Sequence, residues 1–120
     1  GCFIIGLDGQ TSDIFEQVFE FVKESGLYEV QVTIMTAFPG TPLYARLEKE
    51  GRLIEPTNWK KCTLFDINYR PATMSVEELD REFKKLVVEL YSEEFTNWRR
   101  NRFKQNLRDQ HHAKSKEARP

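Results

Sequence analysis

The chain has 120 residues, 39% hydrophobic and 31% charged, with nine Phe, four Tyr and two Trp, which suits one compact domain with an aromatic-rich core and argues against disorder. The net charge of −1 is unevenly spread: residues 1–95 hold 10 Lys and Arg against 17 Asp and Glu, a balance of −7, whereas residues 96–120 hold 8 against 2, a balance of +6. No segment reads as a signal peptide, no apolar run approaches the ~20 residues of a membrane span, and two cysteines, Cys2 and Cys62, are too few for a disulfide scaffold or for the ligand set of an iron–sulfur or structural zinc site.

Cys2 to Leu7 is a continuous apolar run, the pattern of a strand buried on both faces of a parallel sheet. The chain opens inside this run, without Met, as if cut through a strand. Gly6, Asp8 and Gly9 break it into a turn. Thr11 or Ser12 is then placed to cap a helix, with Asp13 and Glu16 favourable in its first turn. Ile14, Phe15, Val18, Phe21 and Val22 follow at helical spacing, and Gly26 is the stop. Glu29 to Thr36 alternates through Val30, Val32 and Ile34 and predicts a second strand. Strand, helix and strand joined by short links make a parallel βαβ unit.

Ala37-Phe38-Pro39-Gly40 is a turn. Thr41 as N-cap and Pro42 at the first helical position open a short helix carrying Leu43, Tyr44 and Leu47, which Gly51 ends. Residues 52–61 read as irregular. Residues 63–69 alternate weakly through Ile67 and Tyr69 and predict an edge strand closed by Pro71. From Ser75 to about Leu107 a long helix is predicted. Ser75 and Glu78 form its capping box, and Leu79, Phe83, Leu86, Val87, Leu90, Tyr91, Phe95 and Trp98 hold one face. A break point falls near Thr96-Asn97. Residues 109–120 are polar, without periodicity, and predict a disordered tail.

Two turns stand out chemically. Gly6-Leu7-Asp8-Gly9-Gln10-Thr11 and Thr36-Ala37-Phe38-Pro39-Gly40-Thr41-Pro42 each follow a strand, and ligands of parallel sheets bind at the C-terminal strand ends. Glycines let a ligand touch backbone, and unpaired groups at a strand end can read a flat ring. Each turn alone is better read as an ordinary tight connection. The first is no phosphate loop, since no Gly-Lys-Ser/Thr follows it.

In this order and spacing, Gly1-Cys2-Phe3-Ile4-Ile5-Gly6-Leu7-Asp8-Gly9-Gln10-Thr11, one helix, then Thr36 to Tyr44, resemble the last two strand motifs of the radical S-adenosylmethionine barrel. The resemblance is greatest to the class whose N-terminal region carries a cobalamin-binding domain. Phe65-Asp66-Ile67-Asn68-Tyr69-Arg70-Pro71-Ala72-Thr73-Met74-Ser75-Val76-Glu77-Glu78-Leu79 resembles the stretch after the barrel there. The resemblance implies an α/β fold, a partial (β/α) barrel fragment. Residues 1–62 would be the last βαβ unit with a short helix, 63–108 a C-terminal extension, and 109–120 the tail.

It further implies cofactor contacts. Ile4 packs on the adenine of S-adenosylmethionine, Gly6 gives close backbone approach, and Thr36, Ala37 and Phe38 offer backbone hydrogen bonds to adenine. The family usually has Pro-Gly-Glu-Thr after the first glycine; here Asp8 and Gln10 replace Pro and Glu, so a carboxylate at position 10 is lost. The cysteine triad that ligates the iron–sulfur cluster is absent, as are the motifs for the methionine amine and the ribose. The chain is therefore expected to be inactive alone and to need the remainder of a parent barrel, with its cluster and, in the resembled class, cobalamin. Strand edges left bare by missing neighbours predict that the isolated chain dimerises.

Other readings are weaker. Trp98-Arg99-Arg100-Asn101-Arg102-Phe103-Lys104 mixes aromatic and basic residues, as surfaces for single-stranded nucleic acid do; it also describes the solvated end of an amphipathic helix. A free-standing module that binds an acidic partner or nucleic acid through residues 98–108 is the alternative function. His111-His112 lacks a third metal ligand. Asp8 and Asp66 read as turn residues rather than paired acids. Reduced cysteines and no signal peptide fit a cytoplasmic protein.

Overall fold

A computed structural model describes residues 1–117. The elements run β1 (Cys2–Ile5), α1 (Ile14–Ser25), β2 (Gln31–Ile34), α2 (Pro42–Lys49), a 3₁₀ turn (Trp59–Lys61), α3 (Val76–Leu90) and α4 (Glu93–Glu117). β1 and β2 pair in parallel, with Cys2 opposite Gln31 and Ile5 opposite Ile34. The predicted βαβ unit is therefore present, in a sheet of two strands.

Strand alternation sorts side chains between two faces. Ile5, Val32 and Ile34, with Phe3 partly buried, join one core with Phe15, Val18 and Val22 of α1 and Leu79, Phe83, Leu86 and Leu90 of α3. The other face is only partly covered: Cys2 and Gln31 are exposed and Ile4 is 54% exposed, whereas Thr33 beside Ile4 is buried. The expectation that the first strand is buried on both faces is corrected here, because only one layer of helices covers the sheet. Phe21, expected on the apolar stripe of α1, is 55% exposed; it meets the edge of Phe3 at 5.7 Å.

Thr41 caps α2 by accepting from the Tyr44 N–H, with Pro42 following it, and the Ser75 side chain accepts from the Glu78 N–H. The Thr41-Pro42 cap matches the sequence reading, and of the Ser75–Glu78 capping box the Ser75 half is observed. The cap of α1 does not match: Asp13, not Thr11 or Ser12, holds the N-cap position, and its carboxylate accepts from the Gln17 side chain instead of a helix backbone N–H.

Three further expectations change. Residues 63–69 form no strand; Leu53 and Tyr69 make a single antiparallel bridge. The long helix breaks at Tyr91-Ser92, not near Thr96, and the Ser92 hydroxyl accepts from the Phe95 N–H to restart it. Finally, α4 continues through Glu117, so residues 109–117 of the predicted tail are helical; the rest of that tail lies outside the described residues. Its exposed Lys, Arg and Gln residues have good intrinsic helix propensity even without a face to bury.

The turn between α3 and α4 is locked by Arg99, which is 1% exposed. Its guanidinium donates to the carbonyls of Tyr28 at 3.0 Å and Leu90 at 3.2 Å and lies over the Phe95 ring at 5.5 Å. Leu90 ends α3, where carbonyls lack helical partners, so a planar five-donor cation suits this place.

Candidate functional site

The two strand ends singled out by sequence lie side by side. Beyond the last paired residues, the Met35 N–H donates to the Ile5 carbonyl at 2.8 Å. Both turns thus leave the same end of the sheet. A short crosspiece lies against them. Arg52 and Arg70 pair through backbone at 2.7 Å, and the Ile54 N–H donates to the Asn68 carbonyl at 2.9 Å. This bridge aims successive residues at different strands: Tyr69 reaches the end of β1 and Asn68 the end of β2.

Gly6 is buried with φ +96°, in the region glycine favours. Its carbonyl accepts from the Tyr69 hydroxyl at 2.6 Å, and its N–H donates to Gln10 Oε1 at 2.8 Å. A Cβ at Gly6 would collide with the Tyr69 hydroxyl. The close approach that Gly6 permits is thus occupied by Tyr69. Burial holds the Tyr69 phenol well above its ordinary titration range. Gln10 also accepts from the Leu7 N–H at 3.2 Å and donates to the Ile4 carbonyl at 3.0 Å. A glutamate at position 10 would keep the acceptor and lose that donor.

At the end of β2, Thr36 and Ala37 are buried and Phe38 is 39% exposed. The Ala37 N–H donates to Asn68 Oδ1 at 3.0 Å, and the Ala37 carbonyl accepts from Asn68 Nδ2 at 2.9 Å. The Thr36 hydroxyl donates to the Ile34 carbonyl at 3.2 Å and to the Thr63 carbonyl. The Phe38 carbonyl accepts from the Thr41 hydroxyl at 2.6 Å. Of the five residues expected at the cofactor, Ile4 and Phe38 present side chains to the outside. Gly6, Thr36 and Ala37 are enclosed by the chain itself.

Asp8 is not a mere turn residue. Its carboxylate takes both terminal nitrogens of Arg52, at 2.6 and 3.2 Å, and Arg46 of α2 at 3.0 Å. Arg52 also donates to Glu50 at 2.7 Å and to the Arg70 carbonyl at 2.9 Å. The Arg52 hydrogen bonds hold the Asp8 carboxyl below the usual carboxylate range, and Asp8 in turn holds Arg52 firmly charged. This network ties the β1 turn to α2 and the crosspiece. Asp66 accepts instead from the Thr63 hydroxyl at 2.9 Å, so the two acids serve separate turns.

Sequence reading missed Tyr69, Asn68 and Arg52. The signal the sequence carries for two of them is the run Asn68-Tyr69-Arg70-Pro71, whose alternation fits a strand equally well.

The outer edge of β2 is sealed. The Tyr91 hydroxyl accepts from the Val32 N–H at 3.2 Å and donates to the Val30 carbonyl at 2.8 Å. Leu64 accepts from the Ile34 N–H at 2.8 Å, and Asn68 follows at Ala37. By the ladder's alternation, Cys2 and Ile4 turn their backbone groups toward the outer edge of β1. There Gln10 meets only the Ile4 carbonyl and the Gly6 N–H.

Part of the basic stretch engages the body of the protein, while Arg102, Lys104 and Arg108 stay exposed. Arg99 is buried, Arg100 Nε donates to Glu29 at 2.8 Å, and Arg102 lies over Trp98 at 5.2 Å. A cleft of about 380 Å³ lies between α1 and α3, rimmed by Asp13, Glu16, Glu20 and Glu82; none of the five expected site residues lines it. Among the described residues no cluster of three His, Cys, Asp or Glu could hold a metal. No described helix is long and apolar enough to cross a membrane.

Curated relatives carry methyl-transfer names. The chain is 36% identical over 55 residues to the hopanoid C-2 methylase of Rhodopseudomonas palustris, covering 46% of this chain and 10% of that protein. It is 30% identical over 91 residues to the uncharacterized methyltransferase sll1242 of Synechocystis, covering 74% and 16%. It is 29% identical over 91 residues to the uncharacterized methyltransferase PH0819 of Pyrococcus horikoshii, covering 76% and 20%. The chain thus spans between a tenth and a fifth of the length of these relatives. No solved structure matches. Residues 41–120, from the cap of α2 through the crosspiece, α3 and α4, match a known domain, and the chain belongs to that family, described as "Domain of unknown function (DUF4070)".

Proposed function

We propose that this chain is the C-terminal part of a radical S-adenosylmethionine enzyme, acting in a methylation reaction. In this reading β1 and β2 are the last two strands of a (β/α) barrel completed by protein outside the chain. Their ends form one wall of the adenine pocket. Ile4 supplies the apolar surface on which the base rests, and the Thr36–Phe38 strand end lies against the edge of the ring.

The observation that carries this reading is the placement of the two turns at one end of a parallel pair, with Ile4 half-exposed on the partly covered face. The edges support it. β2 is sealed by Tyr91, Leu64 and Asn68, as befits a terminal strand, while β1 can still accept a neighbour at Cys2. The names of the methylase and methyltransferase relatives support the reaction class.

The residues present fit a nucleoside wall and nothing more. Cys2 and Cys62 are single thiols, so an iron–sulfur cluster does not fit the residues of this chain. The cofactor and cluster together would supply radical chemistry at an unreactive carbon. This chain's part is to position the base, while the crosspiece and α3 border the mouth where substrate enters.

Calorimetric titration of the isolated chain with S-adenosylmethionine tests the division of labour. The expected affinity is no tighter than about 1 mM, or roughly −4 kcal/mol. Micromolar binding would contradict the claim that most of the pocket lies elsewhere.

A further inference from the structure

We propose that Asn68 is an internal stand-in for an adenine-type base, holding the Ala37 backbone edge until a ligand with an adjacent ring acceptor and amino donor displaces it. This inference rests on the nucleoside-wall reading above. It adds a gate to that wall and names the edge that the base would read.

The chemistry is in the pairing. A carboxamide offers one acceptor and one N–H donor side by side. Adenine offers the same pair through its N1 and its 6-amino group. Asn68 places its pair on the N–H and the carbonyl of a single residue, at 3.0 and 2.9 Å. Ala37 is fully buried, and Asn68 holds both of its polar groups. The other carboxamide, Gln10, behaves differently. It spans Gly6, Leu7 and Ile4, which is the job of a turn cap.

Displacement requires the Asn68 side chain to turn away from Ala37 and the buried surroundings of both residues to open, while the Asn68 backbone keeps its bond to Ile54. Residues 62–68 belong to no helix or strand, so their own packing resists motion less than a regular element does. Cys62 Sγ already lies 3.9 Å from Asn68 Nδ2 as a weak acceptor. A base that restores both hydrogen bonds at Ala37 makes the exchange of partners nearly even.

The test is nuclear magnetic resonance on the isotopically labelled 120-residue chain, titrated with adenosine to about 10 mM, well past a millimolar Kd. Purine riboside, which lacks the 6-amino donor, is the control. The Asn68 side-chain amide and the Ala37 N–H should move together with adenosine and stay still with purine riboside. Asn68→Ala, which vacates the edge, should bind adenosine about tenfold more tightly. If Ile4 and Phe38 respond while Ala37 and Asn68 do not, Asn68 is a fixed structural clamp: the gate fails and the nucleoside wall stands. Equal affinity in Asn68→Ala overturns the gate in the same way. If no resonance responds, the gate fails, and the wall, whose affinity in the isolated chain is bounded only as no tighter than about 1 mM, is decided by the affinity of the full-length parent. The titration of the unaltered chain gives its answer even where Asn68→Ala does not fold.

Discussion

Gly6 shows how one position without a side chain organises the strand ends. Its φ of +96° and the Tyr69 hydroxyl over its α-carbon both exclude a Cβ. Gly6→Ala should cost about 2 kcal/mol or more in urea unfolding, from backbone strain plus the displaced Tyr69; an unchanged midpoint would show that Tyr69 does not hold the turn. The glycine was legible in the sequence as a turn, but its partner was not, since Tyr69 lies far along the chain. Asp8 is a second case. Its folded-state carboxyl sits below the ordinary value of 3.8 because Arg52 and Arg46 favour the charged form. A group depressed in this way contributes stability above its unfolded value, and that contribution is lost as pH falls through the folded one. Asp8→Asn should therefore destabilise the chain at neutral pH and flatten the fall in stability below about pH 4. An acid-unfolding profile that keeps its shape in the variant would exclude Asp8 as a source of that fall. Residue chemistry of this kind escapes sequence reading because Asp8, Arg46 and Arg52 share no local spacing.

At the scale of elements, local signals were read well and long-range ones were not. The Thr41-Pro42 and Ser75 caps and the parallel strand pair follow from neighbours in sequence and were legible. The break between α3 and α4 was placed too late, because nothing local stops the helix at Tyr91. What turns the chain there is tertiary: Tyr91 engages the β2 edge, and Arg99 reaches back to the Leu90 and Tyr28 carbonyls. Residues 63–69 failed as a strand for a related reason. Their polar groups satisfy the end and edge of β2 through Leu64, Thr63 and Asn68 instead of forming a ladder. The Arg99 joint carries a prediction. Arg99→Ala strips bonds from two carbonyls at a buried corner and should cost about 3 kcal/mol, measured by chemical unfolding. Arg99→Lys should recover less than half of it, since an ammonium cannot fork between two carbonyls while lying flat on Phe95. Full recovery by lysine would reduce the joint to a simple charge effect.

On the scale of the whole molecule, the fold is lopsided. One face of the sheet is packed under α1 and α3, and the other presents Ile4 to the outside, with Phe38, Leu64 and Phe65 also exposed. One edge is closed and the other can take a strand. These surfaces, in a chain spanning a fifth or less of its relatives, are what the proposed role as the closing section of a larger barrel requires. The neighbouring placement of the two turns was legible because both follow strands of one βαβ unit. Their self-occupancy by Tyr69 and Asn68 was not, because it depends on the crosspiece. The most direct measurement is the affinity for S-adenosylmethionine of the full-length parent protein carrying Ile4→Asp, compared with the unaltered parent. A carboxylate under the base removes the apolar surface it rests on, so binding should weaken at least about tenfold, or ~1.4 kcal/mol, with the fold intact. Unchanged affinity in a folded variant would contradict the account.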